Sequence, residues 1–143
     1  MADALAELEQ VALSRDHVAL FLGPFELLAP PYGSVWLEPG RRVMGKTTVE
    51  VARLYREAGL EVDATQPPDH IAIELEFLSY LVSKQAASIG RDDAQKWLEL
   101  QQRFLEDALR PWMVPFCRAI RLHSASPFYS ALATVLEVLV SAD

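Results

Sequence analysis

Pro67-Pro68-Asp69-His70-Ile71-Ala72-Ile73-Glu74-Leu75-Glu76-Phe77-Leu78-Ser79-Tyr80-Leu81-Val82-Ser83-Lys84 is the stretch that decides the fold. The two prolines fix the entering backbone and forbid helix before Pro68. Asp69 is placed to cap the helix they launch, its carboxylate accepting a first-turn N–H at the positive end of the dipole. Ile71, Leu75, Leu78 and Val82 then recur at helical spacing, and Ile73, Phe77 and Leu81 widen the apolar arc to roughly half the circumference. A helix this apolar needs more than one neighbour, so residues 69–84 are expected to be the central helix.

Two polar residues fall inside that arc. His70 and Glu74 are four apart, within contact range on a helix surface. Two readings stay open: an ordinary histidine–glutamate pair at a partly exposed edge, or a polar spot at the floor of an apolar cleft.

Outward from this segment the signals are helical throughout. Residues 3–22 carry an apolar stripe of Leu5, Leu8, Val11, Ala12, Val18, Ala19 and Leu22, stopped by Gly23-Pro24. Phe25 to Gly40 has no period, and a connection of that length is usually functional or ordered by its own side chains. Thr47 and Glu50 have capping-box spacing, opening a helix to about Ala58 that Gly59 closes. Gly90 is expected to end the central helix and Asp92 or Asp93 to cap the next. That one runs to about Leu109, with Pro111 restarting helix and Pro115 tolerable only in a first turn. Ser126 caps and Pro127 opens a last helix with Phe128, Leu132, Val135, Leu136 and Leu139 inward. The expected fold is all-α, a single domain over 1–143 built as a bundle of about six helices.

The chain has 143 residues, enough for a real core, and 51% are hydrophobic. Mean hydropathy is +0.11, high enough to expect apolar surface that serves a partner. No apolar run approaches the ~18 residues a membrane span needs. Met1-Ala2-Asp3-Ala4-Leu5 lacks the basic and apolar regions of a signal peptide, and a lone Cys117 makes no internal disulfide, so the expected home is cytoplasmic. A net charge of −7 argues against nucleic acid and suits a basic peptide.

Signals for chemistry are sparse along the chain. His17, His70, His123 and Cys117 show no metal-ligand spacing, no cofactor motif stands out, and no nucleophile lies beside an oriented base. Cys117 reads as a small core residue. Gly40 and Gly45-Lys46-Thr47 fit the count of a phosphate loop, but an all-α chain cannot supply the strand that cradle requires. Asp69 and His70 could relay a proton, without an evident partner for it on a substrate.

Five short motifs, in order, carry a resemblance. They are Leu20-Phe21-Leu22-Gly23-Pro24, Tyr32-Gly33-Ser34-Val35-Trp36 followed by Glu38, Pro67-Pro68-Asp69-His70, Leu109-Arg110-Pro111-Trp112, and Ser126-Pro127-Phe128-Tyr129. Together they resemble the TorD/DmsD group of redox enzyme maturation chaperones, all-helical cytoplasmic proteins related to NarJ; Gln66 stands where that group has glutamate. The resemblance implies a chaperone, not an enzyme. Such a protein binds the twin-arginine signal peptide or amino-terminal segment of a molybdopterin-containing oxidoreductase and holds it for cofactor insertion before export. It places peptide binding at Tyr32, Ser34, Trp36, Pro68, Asp69 and His70; the helical wheel adds Glu74 and Glu76 as partners for arginines. Only about twenty residues precede the first motif, fewer than the family usually carries. A homodimer, in domain-swapped form where helices exchange, is therefore expected to cover the apolar surface. Two alternatives accompany this reading. One is a NarJ-like assembly factor for a reductase that is not exported. The other is a small hydrolase or nucleotidase using Asp69 and His70.

Overall fold

A computed structural model describes residues 2–23, 26–63 and 65–142. Within them the chain is helical and no strand forms. In order come α1 (Ala2–His17), continued by a wide π turn at Val18–Leu22, and a single turn α2 (Gly33–Leu37). Then come α3 (Lys46–Glu57), α4 (Ile71–Ala87) and α5 (Arg91–Arg103), the last running into a second π turn at Phe104–Leu109. Helices α6 (Arg110–His123) and α7 (Pro127–Ser141) complete it. The six long helices are what the period and the stop signals led us to expect; the single turn α2 lies inside the Phe25–Gly40 connection, whose sequence has no period. Pro24 and Phe25, and the side chains of Leu5 and Leu8, lie outside the described residues.

The chain divides into two compact units. In Tyr32–Trp112, α4 is the organising helix. Phe77 stands between Tyr55 of α3, ring centroids 4.4 Å apart, and Phe104 at 4.9 Å in an edge-to-face contact. Tyr80 meets Trp97 of α5 edge-on. The buried stripe of α4 is Glu74, Phe77, Leu78 and Leu81, whereas Val82 is 46% exposed. The inward face is thus rotated from the one drawn through Ile71, Leu75, Leu78 and Val82, and Glu74 sits in its middle.

Several boundaries differ from expectation for local reasons. Helix α4 ends at Ala87, and Gly90, not Asp92 or Asp93, is the cap residue of α5; the two aspartates occupy its first turn, where the dipole favours them. Helix α6 continues from the π turn without a break, and Pro115 lies inside it. Pro111 stands one residue past the wide turn, where the regular hydrogen-bond ladder is already interrupted, and Pro111 and Pro115 are both exposed.

The other unit comprises Met1–Pro31 and Met113–Asp143. Asp16 at the end of α1 holds the turn before α7: its carboxylate accepts from Ala125 N–H at 3.2 Å, from Ser126 N–H at 3.1 Å and from the Ser124 hydroxyl. Ser126 Oγ then accepts from Phe128 N–H at 3.2 Å, with Pro127 opening α7 as expected. Phe21 packs on Phe116 and Tyr129, and His17 Nδ1 is 3.1 Å from the Tyr129 hydroxyl. Cys117 is fully buried, and burial pushes its thiol up to about 11, as a core cysteine requires.

Helix α7 turns Tyr129, Ala133, Leu136 and Val140 inward. Of the residues expected there only Leu136 is buried; Phe128, Leu132, Val135 and Leu139 form a second stripe that faces solvent. On α1 and the π turn that continues it, Val11, Ala12, Val18, Ala19 and Leu22 are likewise exposed, and among the described side chains Leu20 is the buried one. A helix with two apolar stripes can bury either one, and the period alone cannot choose.

Candidate functional site

The 32–112 unit is clasped by one carboxylate. Tyr32 and His70 pair as an isolated antiparallel bridge, and Gly33 N–H donates to the Asp69 carbonyl at 2.9 Å. Asp69 Oδ2 accepts from Ser34 N–H at 2.7 Å in the first turn of α2. Its Oδ1 accepts from the Thr48 hydroxyl at 3.1 Å in α3. Asp69 is 0% exposed. It therefore ties α2 and α3 to the entry of α4, and the cap of α4 is His70, whose Nδ1 accepts from Ala72 N–H at 3.1 Å.

This fixes the state of His70. An Nδ1 that accepts a backbone N–H is unprotonated, and burial lowers the imidazole from its usual value, partly opposed by Asp69. The Asp69–His70 relay considered for hydrolysis is not formed, because each group is engaged elsewhere. Nor do His70 and Glu74 pair through their side chains.

Glu74 is buried behind this clasp, 0% exposed. Trp112 Nε1–H donates to its Oε2 at 3.2 Å, and Oε1 has no hydrogen-bond partner among the described residues. Burial pushes the Glu74 carboxyl well above the usual carboxylate range; the Trp112 bond works against this and nearby Asp69 adds to it. Gly33 packs closely beside it: a Cβ there would stand 3.0 Å from Trp112 Nε1, so the indole would have to shift.

The loop after α2 is secured by two further contacts. Ser34 Oγ accepts from Met44 N–H at 3.3 Å. Glu38 Oε1 accepts from both Thr47 N–H at 2.7 Å and the Thr47 hydroxyl at 2.8 Å. Those bonds hold the Glu38 carboxyl below its usual range. The amino end of α3 is thus filled by the protein's own carboxylate, and Thr48 Oγ1 accepts from Gly45 N–H at 3.2 Å. This arrangement replaces the Thr47–Glu50 box, and it occupies the place a bound phosphate would need. Tyr55 completes the frame, its hydroxyl donating to the Pro68 carbonyl at 2.7 Å.

The residues singled out from sequence therefore separate into three groups. Tyr32, Ser34, Pro68, Asp69 and His70 come together. Of these, Tyr32, Pro68 and His70 are half-buried and present surface, the two rings meeting edge-on at 5.1 Å, while Ser34 and Asp69 are wholly inside. Trp36 is half-buried on α2 with the Arg41 guanidinium 5.5 Å over its ring. Glu76 is exposed on the far side of α4. Asp69 and Glu74 are not exposed to a ligand, so the expectation that Asp69 touches the peptide and Glu74 faces its arginines is corrected: Ser34 N–H and the Thr48 hydroxyl hold the two oxygens of Asp69, and the Trp112 indole holds one oxygen of Glu74. Thr48, Glu38, Tyr55 and Trp112 were missed as partners. Glu38 and Trp112 stood in the quoted motifs, yet nothing in their spacing announced whom they would touch.

Among the described residues no group of three His, Cys, Asp or Glu is placed to hold a metal, and no helix is long and apolar enough to cross a membrane. The family model described as nitrate reductase delta subunit matches residues 1–118. The chain is 34% identical over 136 residues to the chaperone protein TorD of Escherichia coli O45:K1, covering 94% of this chain and 63% of that one. To the TorD chaperone of Pasteurella multocida it is 30% identical over 138 residues, covering 96% and 65%. The chain thus spans less than two thirds of the length of these relatives. Among solved structures, a candidate redox enzyme maturation protein from Archaeoglobus fulgidus superposes with a TM-score of 0.61 at 26% identity, over 92% of this chain and 67% of that one. With the family model matching over most of its length and the clasp motifs in place, this chain belongs to the nitrate reductase delta subunit family, in the TorD/NarJ-related group.

Proposed function

We propose that this protein, acting as a single all-helical domain in the cytoplasm, is a maturation chaperone without turnover of its own. Its ligand would be the twin-arginine signal peptide or amino-terminal segment of a molybdopterin-containing oxidoreductase, held while the cofactor is inserted before export. The observation that carries this reading is the similarity to TorD chaperones over nearly the whole chain. The geometry is compatible with it. Tyr32, Pro68 and His70 offer ring and apolar surface, and the His70 N–H and the Tyr32, Pro68 and His70 carbonyls are already hydrogen-bonded within the protein, so a peptide can cover them at little cost.

Trp36 is the anchor to test. Truncating a half-buried aromatic in such a site costs ~2 kcal/mol, so Trp36→Ala should weaken a fluorescent twin-arginine peptide by about thirtyfold at any ionic strength. Unchanged affinity in a folded variant would remove Trp36 from the site, and no binding by the parent would remove the function. A NarJ-like factor for a non-exported reductase is the second reading, favoured by the description of the matching family model. A client captured from the native host with no Arg-Arg leader would select it.

Self-association belongs to the same proposal. The outer stripe of α7 leaves Phe128 55%, Val135 61% and Leu139 45% exposed, more apolar surface than a monomer usually keeps wet. Light scattering at micromolar concentration should give a homodimer, domain-swapped or not, and Val135→Glu with Leu139→Glu should return it to monomer.

A further inference from the structure

Within the 32–112 unit a cavity of about 430 Å³ lies between the segment before Pro67 and α4, on the side where Glu76 stands. Tyr55, Phe77 and Tyr80 give it aromatic walls, and Leu60, Val62 and Ile73 give it aliphatic ones. Glu61, Asp63 and Glu76 also line it; all three are exposed, and no lysine or arginine is among its described lining residues. Asp63 Oδ1 accepts from Thr65 N–H at 3.1 Å.

We propose that this cavity receives an arginine side chain of the bound peptide. An apolar hollow with a rim carrying three carboxylates repels anions and leaves a neutral ligand's charge complement unused. A long cation suits it: methylenes pack on Leu60, Val62 and Ile73, the flat guanidinium lies against ring faces, and its fork meets the rim carboxylates. Lysine suits it less, since an ammonium holds its water more tightly and cannot stack. The volume is within the range of small-ligand sites and holds about one such side chain with part of its neighbour. Gln66, also in the lining, precedes Pro67 directly, so a single peptide can reach the clasp with its apolar run while an arginine enters here. This assignment rests on the chaperone reading and names where its basic half is recognised.

The test uses the full chain and two fluorescent peptides that differ only in Arg-Arg against Gln-Gln before the same leucine-rich run. Glu61→Gln with Glu76→Gln changes two exposed side chains and should leave the folding midpoint unmoved. At low salt the double variant should bind the Arg-Arg peptide about tenfold more weakly than the parent does, and the gap should narrow at high salt. The Gln-Gln peptide should not distinguish the two proteins. Equal binding of the Arg-Arg peptide by parent and variant overturns the cavity assignment while the chaperone reading stands; no binding by the parent overturns both. If the variant instead loses self-association at unchanged peptide affinity, the occupant is the exposed Arg42-Val43-Met44 loop of a second copy, and the peptide assignment fails.

Discussion

Asp69→Ala is expected to destabilise the 32–112 unit by about 3 kcal/mol, with no dependence on salt. The change leaves Ser34 N–H and the Thr48 hydroxyl without an acceptor in a fully buried place. Each stranded donor costs about 1–3 kcal/mol. Asp69→Asn keeps one acceptor oxygen and should lose less. Thr48→Val alone should cost about 1 kcal/mol, and its effect should shrink in the Asp69→Ala background, because the two changes remove the same bond. Urea denaturation of the parent, the single variants and the double variant measures this. A variant of full stability whose peptide affinity fell only at low salt would restore Asp69 to the surface role read from its sequence context.

Glu74 should make stability fall as pH rises. Its folded-state pKa is raised above the ordinary glutamate value of 4.5, so the folded protein holds a proton that the unfolded chain has released. The contribution is complete below pH 4.5 and erodes through the interval up to the folded-state pKa, at most about 1.4 kcal/mol per pH unit. Glu74→Gln keeps an oxygen for Trp112 Nε1–H and carries no proton to lose. The gap between variant and parent should be constant below pH 4.5, move in the variant's favour as pH rises through the interval up to the folded-state pKa, and level off above it, read as the difference in urea midpoint. That difference isolates Glu74 from the other titrating groups. Parallel curves for the two proteins would show that the buried carboxyl does not titrate in this range. Glu74→Ala should be worse at every pH, since it opens a cavity and orphans the indole N–H.

Both results turn on carboxylates whose residue types were visible in the chain and whose environments were not. Period and punctuation placed the helices because those signals are local. Prolines bar helix before Asp69, Ser126 and Pro127 open α7, and Gly59 at φ 81° closes the turn after α3 where a side chain would be strained. Motif order likewise carried the family. Burial was a different matter. The wheel of α4 put Glu74 within an apolar arc, which left open a cleft floor or a histidine–glutamate pair at a partly exposed edge. Only Trp112, far along the chain, decided that it lies inside.

By itself the sequence determined an all-helical chain, the six long helices and the family to which it belongs; it singled out Tyr32, Ser34, Asp69 and His70 without showing how they are joined. Tertiary structure alone decided that Asp69 is a strut between α2 and α3, that Glu38 fills the amino end of α3, and that α7 buries Tyr129, Ala133, Leu136 and Val140 while leaving its other stripe wet. The physical reason is the range of the interactions. Caps, stops and period act within about one helical turn, whereas desolvation and hydrogen-bond partners for a side chain depend on what folding brings from far along the chain.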